Sequence, residues 1–138
     1  MRPLLLLSLA LLSLADPADA AKSLEGTWSV KSFLYEGAES KDPRDRKGEW
    51  VFKGEKFMLR QDGKDDAEGW QPFRLDSTKS PKELDLQGPG GTAKGIYRLE
   101  GETLTICLPM PFLTKERPTT FESDPKGKFC LITLSRKK

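Results

Sequence analysis

Along most of this chain after residue 24, apolar and polar residues alternate with a period of two, the spacing of strands with one face buried. Residues 25–35 read as a first strand in which Trp28 and Val30 share a face while Phe33 and Tyr35 take the opposite parity. That change of phase predicts a bulge near Lys31 and Ser32. Residues 49–60 read as a hairpin centred on Gly54-Glu55, a two-residue turn with glycine first, which pairs Lys53 with Lys56, Phe52 with Phe57 and Trp50 with Leu59. Residues 95–108 repeat the device around Gly101-Glu102. Leu99 then pairs with Leu104 and Tyr97 with Ile106, and Arg98, Thr103 and Thr105 turn to the other face.

The intervening segments punctuate this pattern. Residues 37–47 are polar, contain Pro43 and read as a long loop, and 62–69 form an acidic loop. Residues 70–75 read as a short strand at a sheet edge, because Pro72 has no N–H to give a ladder. A strand begins at Pro81, with Leu84 and Leu86 alternating with Glu83, Asp85 and Gln87, and Gly88-Pro89-Gly90-Gly91 ends it. Residues 108–128 form a proline-rich crossing loop, and 129–135 are the last strand. No segment keeps helical periodicity over three turns, although a short helical turn in the 40s or 110s is compatible with the pattern. Six to eight short antiparallel strands at this spacing predict an all-β sandwich or barrel.

The first twenty residues stand apart. Met1-Arg2-Pro3 is a positive start, residues 4–15 are an apolar run, and Ala18-Asp19-Ala20 offers small residues where a signal peptidase reads them. The chain is therefore expected to be exported to the periplasm or medium, with a signal peptide over 1–20 and one domain over 21–138. The apolar run is well short of the roughly 20 residues that span a bilayer, and no cysteine follows it to carry a lipid, so no membrane anchor is expected after cleavage. Without Arg2, Asp16 and Asp19 the mature chain has 22 basic and 19 acidic residues. These are interleaved except at Arg136-Lys137-Lys138, which leaves no electrostatic footprint for nucleic acid.

Histidine is absent from the sequence, which removes Ser-His-Asp and Cys-His relays and histidine metal sites. The enzymatic chemistry left is a carboxylate pair of the glycosidase type. Asp62, Asp65, Asp66 and Glu68 do not follow the calcium-loop spacing and read as a solvated loop, so neither a metal nor a cofactor is expected. Cys107 and Cys130 invite a disulfide in an oxidising compartment, yet parity sends Cys107 away from Tyr97, Leu104 and Ile106 while Cys130 shares a core parity with Ile132 and Leu134. Both readings stay open. Arg117-Pro118-Thr119-Thr120-Phe121 reads as a ligand loop, or as a structural one with Phe121 plugging a barrel end and Arg117 paired to a carboxylate. Trp50, Phe52, Tyr97, Leu99, Leu104 and Ile106 are candidates to line a ligand cavity, and Phe57 and Trp70 are aromatic companions whose simpler role is core filling.

Four motifs in order, Leu24-Glu25-Gly26-Thr27-Trp28, residues 76–86 (DSTKSPKELDL), residues 95–107 (GIYRLEGETLTIC) and Arg117-Pro118-Thr119-Thr120-Phe121, resemble an exported small β-domain family of planctomycete bacteria whose function is uncharacterised. Gly26-Thr27-Trp28 is also similar to the lipocalin G-x-W motif. That resemblance implies a calycin-like barrel with Arg136, just past the last strand, lying over Trp28 as a staple. The expectation is a non-enzymatic exported barrel that binds a small apolar ligand or an envelope protein. The alternatives are a carboxylate-dependent hydrolase and a purely structural scaffold.

Overall fold

In the computed structural model, which describes residues 17–65, 67, 69–110 and 113–138, the strands close on one another. Eight of them form an antiparallel barrel: β1 (Gly26–Tyr35), β3 (Glu49–Lys53), β4 (Lys56–Gln61), β6 (Gln71–Asp76), β7 (Lys82–Gly88), β8 (Gly91–Glu100), β9 (Thr103–Pro109) and β10 (Phe129–Arg136). Pairing of β10 with β1 closes the ring. Two short strands extend it, β2 (Ala38–Glu39) on β1 and β5 (Lys64–Asp65) on β4. The apolar run expected to be a signal lies outside the described residues. The helix α1 (Pro17–Leu24) spans the cleavage point expected before Ala21, and α2 (Pro43–Lys47) is a short helix in the 40s.

Turn chemistry and parity fix the registers. Gly54 and Gly101 have φ of 61° and 62°, and the residue after each has a negative φ, the pattern of a turn with glycine first. The pairs follow: Trp50 faces Leu59, Phe52 faces Phe57, Leu99 faces Leu104 and Tyr97 faces Ile106. On β1 the register slips between Val30 and Ser32, so Lys31 is the extra residue of a bulge. The bulge brings Phe33 opposite Ile132 on the inner face.

One expectation is corrected. Pro72 does not mark a sheet edge, because β6 pairs with β7 on one side and β4 on the other. The missing N–H shows instead as a short seam, in which Lys56↔Pro72 and Phe57↔Gln71 are the only paired positions of β4 and β6. Beyond that seam β6 outruns the β3–β4 turn, and α1 packs against β6 and β3. Ala21 and Leu24 are buried in the core there, and the Trp28 indole Nε1 donates to the Leu24 carbonyl at 2.8 Å. The helix thus caps one end of the barrel.

Inside, an aromatic cluster sits beside layers of leucine and isoleucine. The rings of Trp50, Phe52 and Phe57 are 6.1–6.5 Å apart, and Phe73 meets Phe52 edge-on at 5.1 Å. Outside, residues 113–128, between β9 and β10, run across β8 and β9 as a strap. It covers a second, smaller apolar surface, burying Ile96 and Cys107, which point away from the interior. Gly95 makes the close approach of β8 to β9: a Cβ there would lie 2.6 Å from both the Cys107 carbonyl oxygen and Leu108 Cδ2.

Candidate functional site

The six candidate cavity residues all face inward. Trp50, Phe52, Tyr97, Leu104 and Ile106 are buried and Leu99 is half-buried, packed with Trp28, Leu84 and Leu134 at 0% exposure. They fill the interior with one another. Two clefts lie elsewhere, on the outer wall, and none of the six lines either.

The first cleft, of about 280 Å³, lies over the outward positions of β6 and β7 and the turn between them, lined by Arg74, Asp76, Thr78, Glu83 and Asp85. Parity makes it polar, since the residues alternating with Leu75, Leu84 and Leu86 must point out. The strap delivers Arg117 to it. Arg117 Nη1 donates to the Gly95 carbonyl at 2.8 Å and lies 2.8 Å from Asp85 Oδ1, while Nε is 3.6 Å from Glu83 Oε1. Asp85 Oδ1 is buried and sits off the N–H direction, so its contact with Arg117 is an ion pair without a hydrogen bond. Thr78 donates to Asp76 through its hydroxyl at 2.5 Å and its backbone N–H at 3.1 Å, and those bonds hold the Asp76 carboxyl below its ordinary range. A glycosidase pair needs one carboxyl kept protonated. Asp76 is shifted the opposite way, and the other two carboxylates face a guanidinium.

The second recess, of about 310 Å³, is open and lined by Lys53, Lys56 and Trp70. Trp70 is 41% exposed.

At the capped end, Arg136 stands opposite Trp28 in the β1–β10 ladder, its guanidinium carbon 4.3 Å from the ring centroid. Its Nη1 and Nη2 donate to the carbonyls of Glu25 at 2.6 Å and Ser23 at 2.9 Å, and Nε lies 3.2 Å from Glu102 Oε2. Gly26, at φ 127°, leaves room for this, because a Cβ there would come within 3.2 Å of Arg136 Nη1.

Of the two readings left open for Cys107 and Cys130, the structure has the unbridged one: both thiols are free and buried. Their strands are neighbours, with Cys107 opposite Leu131 and Cys130 opposite Leu108, but Cys130 points into the core and Cys107 points under the strap. The sheet separates the sulfurs. Cys107 Sγ donates to the Glu122 carbonyl at 3.5 Å, and burial pushes its pKa up to about 11 and that of Cys130 to about 12.

The loop motif is likewise a brace on the outer wall. Pro118 is buried, Thr119 is exposed and Arg117 is the ion-pairing residue described above. Phe121 does not plug the barrel end, since its ring lies 4.5 Å beneath the guanidinium of Arg98, a residue of the outer face. In the acidic loop, Arg60 Nε holds Asp65 Oδ1 at 3.0 Å, and Asp66 and Glu68 lie outside the described residues. Among the described residues no group of three or more Cys, Asp or Glu is arranged to hold a metal ion.

Sequence reasoning missed the two clefts. The outward parity of Glu83 and Asp85 was visible, but their partner Arg117 lies over 30 residues away in a loop with no periodicity to orient it. Comparison of the chain with family models, with curated proteins and with solved structures finds no match in any of the three.

Proposed function

We propose that this chain is an exported, non-enzymatic interaction module, of the small β-domain type its motifs resemble, in which the barrel is a rigid scaffold and recognition takes place on its outer wall. The observation that carries this reading is the filled interior. Trp28, Phe52, Leu84, Leu104, Ile106 and Leu134 are each 0–1% exposed, and they occupy the space where an enclosed apolar ligand would sit. A scaffold of this kind presents fixed side chains on strands, which positions a recognition surface more accurately than a loop does.

The chemistry of the wall supports recognition over catalysis. With no histidine in the sequence, acid-base work would fall to the carboxylates of the β6–β7 cleft, and these are engaged by Thr78 and Arg117. Export is supported by the charged start, apolar run and Ala-x-Ala site of residues 1–20.

Titration with a fluorescent fatty acid tests the reading. Saturable uptake that is abolished by filling substitutions at Leu99 or Ala93 would replace the module with an apolar-ligand carrier, whereas no uptake up to millimolar probe is the expected result.

A further inference from the structure

We infer that the recess lined by Lys53, Lys56 and Trp70 is a binding site for an acidic saccharide, with a uronate carboxylate held between the two ammonium groups and the sugar ring lying against the indole. The inference rests on the reading above in one respect, that recognition takes place on the outer wall.

The first observation is an electrostatic misfit. Lys53 and Lys56 are direct cross-strand partners flanking the β3–β4 turn, and like charges placed directly opposite destabilise a hairpin. Among the described residues no carboxylate comes within 4.0 Å of either ammonium. Glu25, whose carboxylate reaches the same turn, is engaged with the Gly54 N–H at 2.9 Å. An oxyanion seated between the two lysines converts their repulsion into two attractions.

The second observation is the exposed ring. Trp28 and Trp50 are buried at 0% and 8% exposure, whereas Trp70 is 41% exposed beside the two lysines. The lysines share the outer face with Pro72, which pairs with Lys56. An indole is amphipathic and rigid, and it offers a flat face to the C–H groups of a pyranose at little cost in side-chain entropy.

Charge and area narrow the partner. The large exposed hydrophobics among the described residues are Trp70 and Leu113, too little apolar surface for insertion into a bilayer, and two lysines are fewer than the basic cluster that holds a protein to an anionic lipid surface. A nucleic acid strand needs a basic groove that tracks its backbone, and the neighbouring turn and loop carry Glu55, Asp62 and Asp65. A single carboxylate with a ring beside it matches two ammonium groups and one indole.

The test titrates the mature chain with a short oligogalacturonate, a neutral malto-oligosaccharide of equal length, phosphatidylglycerol vesicles and oligothymidylate, reading tryptophan fluorescence and calorimetric heat. Saturable binding of the oligogalacturonate is expected, weakened by salt, with the neutral sugar at least about tenfold weaker. Trp70→Ala, and Lys53→Gln with Lys56→Gln, should each weaken binding by about tenfold or more without lowering the melting midpoint of these exposed-site variants. Trp70→Phe should retain part of it. Absence of binding at millimolar oligogalacturonate, binding indifferent to these substitutions, or tighter binding of vesicles or oligothymidylate would overturn the inference. Failure of the broader reading is distinguished by the fatty-acid titration, which reports on the barrel interior and not on this recess.

Discussion

Arg136 lies across the indole of Trp28 at 4.3 Å while its two terminal nitrogens hold the carbonyls of Ser23 and Glu25, so one guanidinium ties the last strand to both the first strand and the capping helix. The tie carries a stability prediction. Arg136→Ala should cost about 2 to 3 kcal/mol, combining a shielded cation–π contact with charged hydrogen bonds, and Trp28→Ala about 3 to 5 kcal/mol from the cavity it leaves. Denaturant melts should show the double variant losing less than the sum of the two. Arg136→Lys should recover only part of the loss, because an ammonium cannot stack and reach both carbonyls.

Gly95→Ala should destabilise by about 1 to 3 kcal/mol, since its Cβ would meet a backbone oxygen that can move only with the strand. Gly54→Ala meets no atom within 4 Å, and its cost should be the conformational one of a positive φ, about 1 to 2 kcal/mol. Thermal melts compare them. A Gly95→Ala protein as stable as the parent would contradict the close approach of β8 and β9.

Arg117→Ala should loosen the strap from β7 and β8, leaving the half-buried Asp85, whose Oδ1 is covered, without its counter-charge. The sensitive readout is Cys107, which is covered by the strap at Glu122. Its alkylation under native conditions should accelerate in the variant, while that of Cys130, inside the barrel, should not.

Alkaline stability follows from the two thiols. In the unfolded chain they ionise near pH 9, whereas burial keeps them neutral in the fold to about 11 and about 12. Between those limits the native state binds more protons than the unfolded state, so their contribution is complete below pH 9 and is lost as pH rises from about 9 to 12. Tyr97, raised by burial, acts in the same direction. Urea midpoints should therefore fall across that range, and less steeply in the Cys107→Ala, Cys130→Ala variant. Alkylation of the denatured chain without reductant should add two groups.

Much of the barrel was legible in the sequence because its hairpins carry their own rulers. A glycine at the first turn position and alternating side chains were enough to pair Phe52 with Phe57 and Tyr97 with Ile106, and the phase change at Lys31 announced the bulge. Pro72 misled because a missing N–H marks a poor pairing without saying whether a partner strand is present. The helix α1 was hidden because its residues also serve the pattern of a cleavage site, and among its described side chains Leu24 and Ala21 are the buried core residues. The strap escaped for a different reason: residues 110–128 have no period, so nothing local told that Phe121 would lie under Arg98 outside the wall.

Native mass spectrometry of the protein isolated from the cells that make it tests the central claim most directly, that the barrel is filled by its own side chains. The account predicts the bare mass of the polypeptide, unchanged between gentle and denaturing conditions. A small apolar molecule retained under gentle conditions and released on denaturation would contradict it.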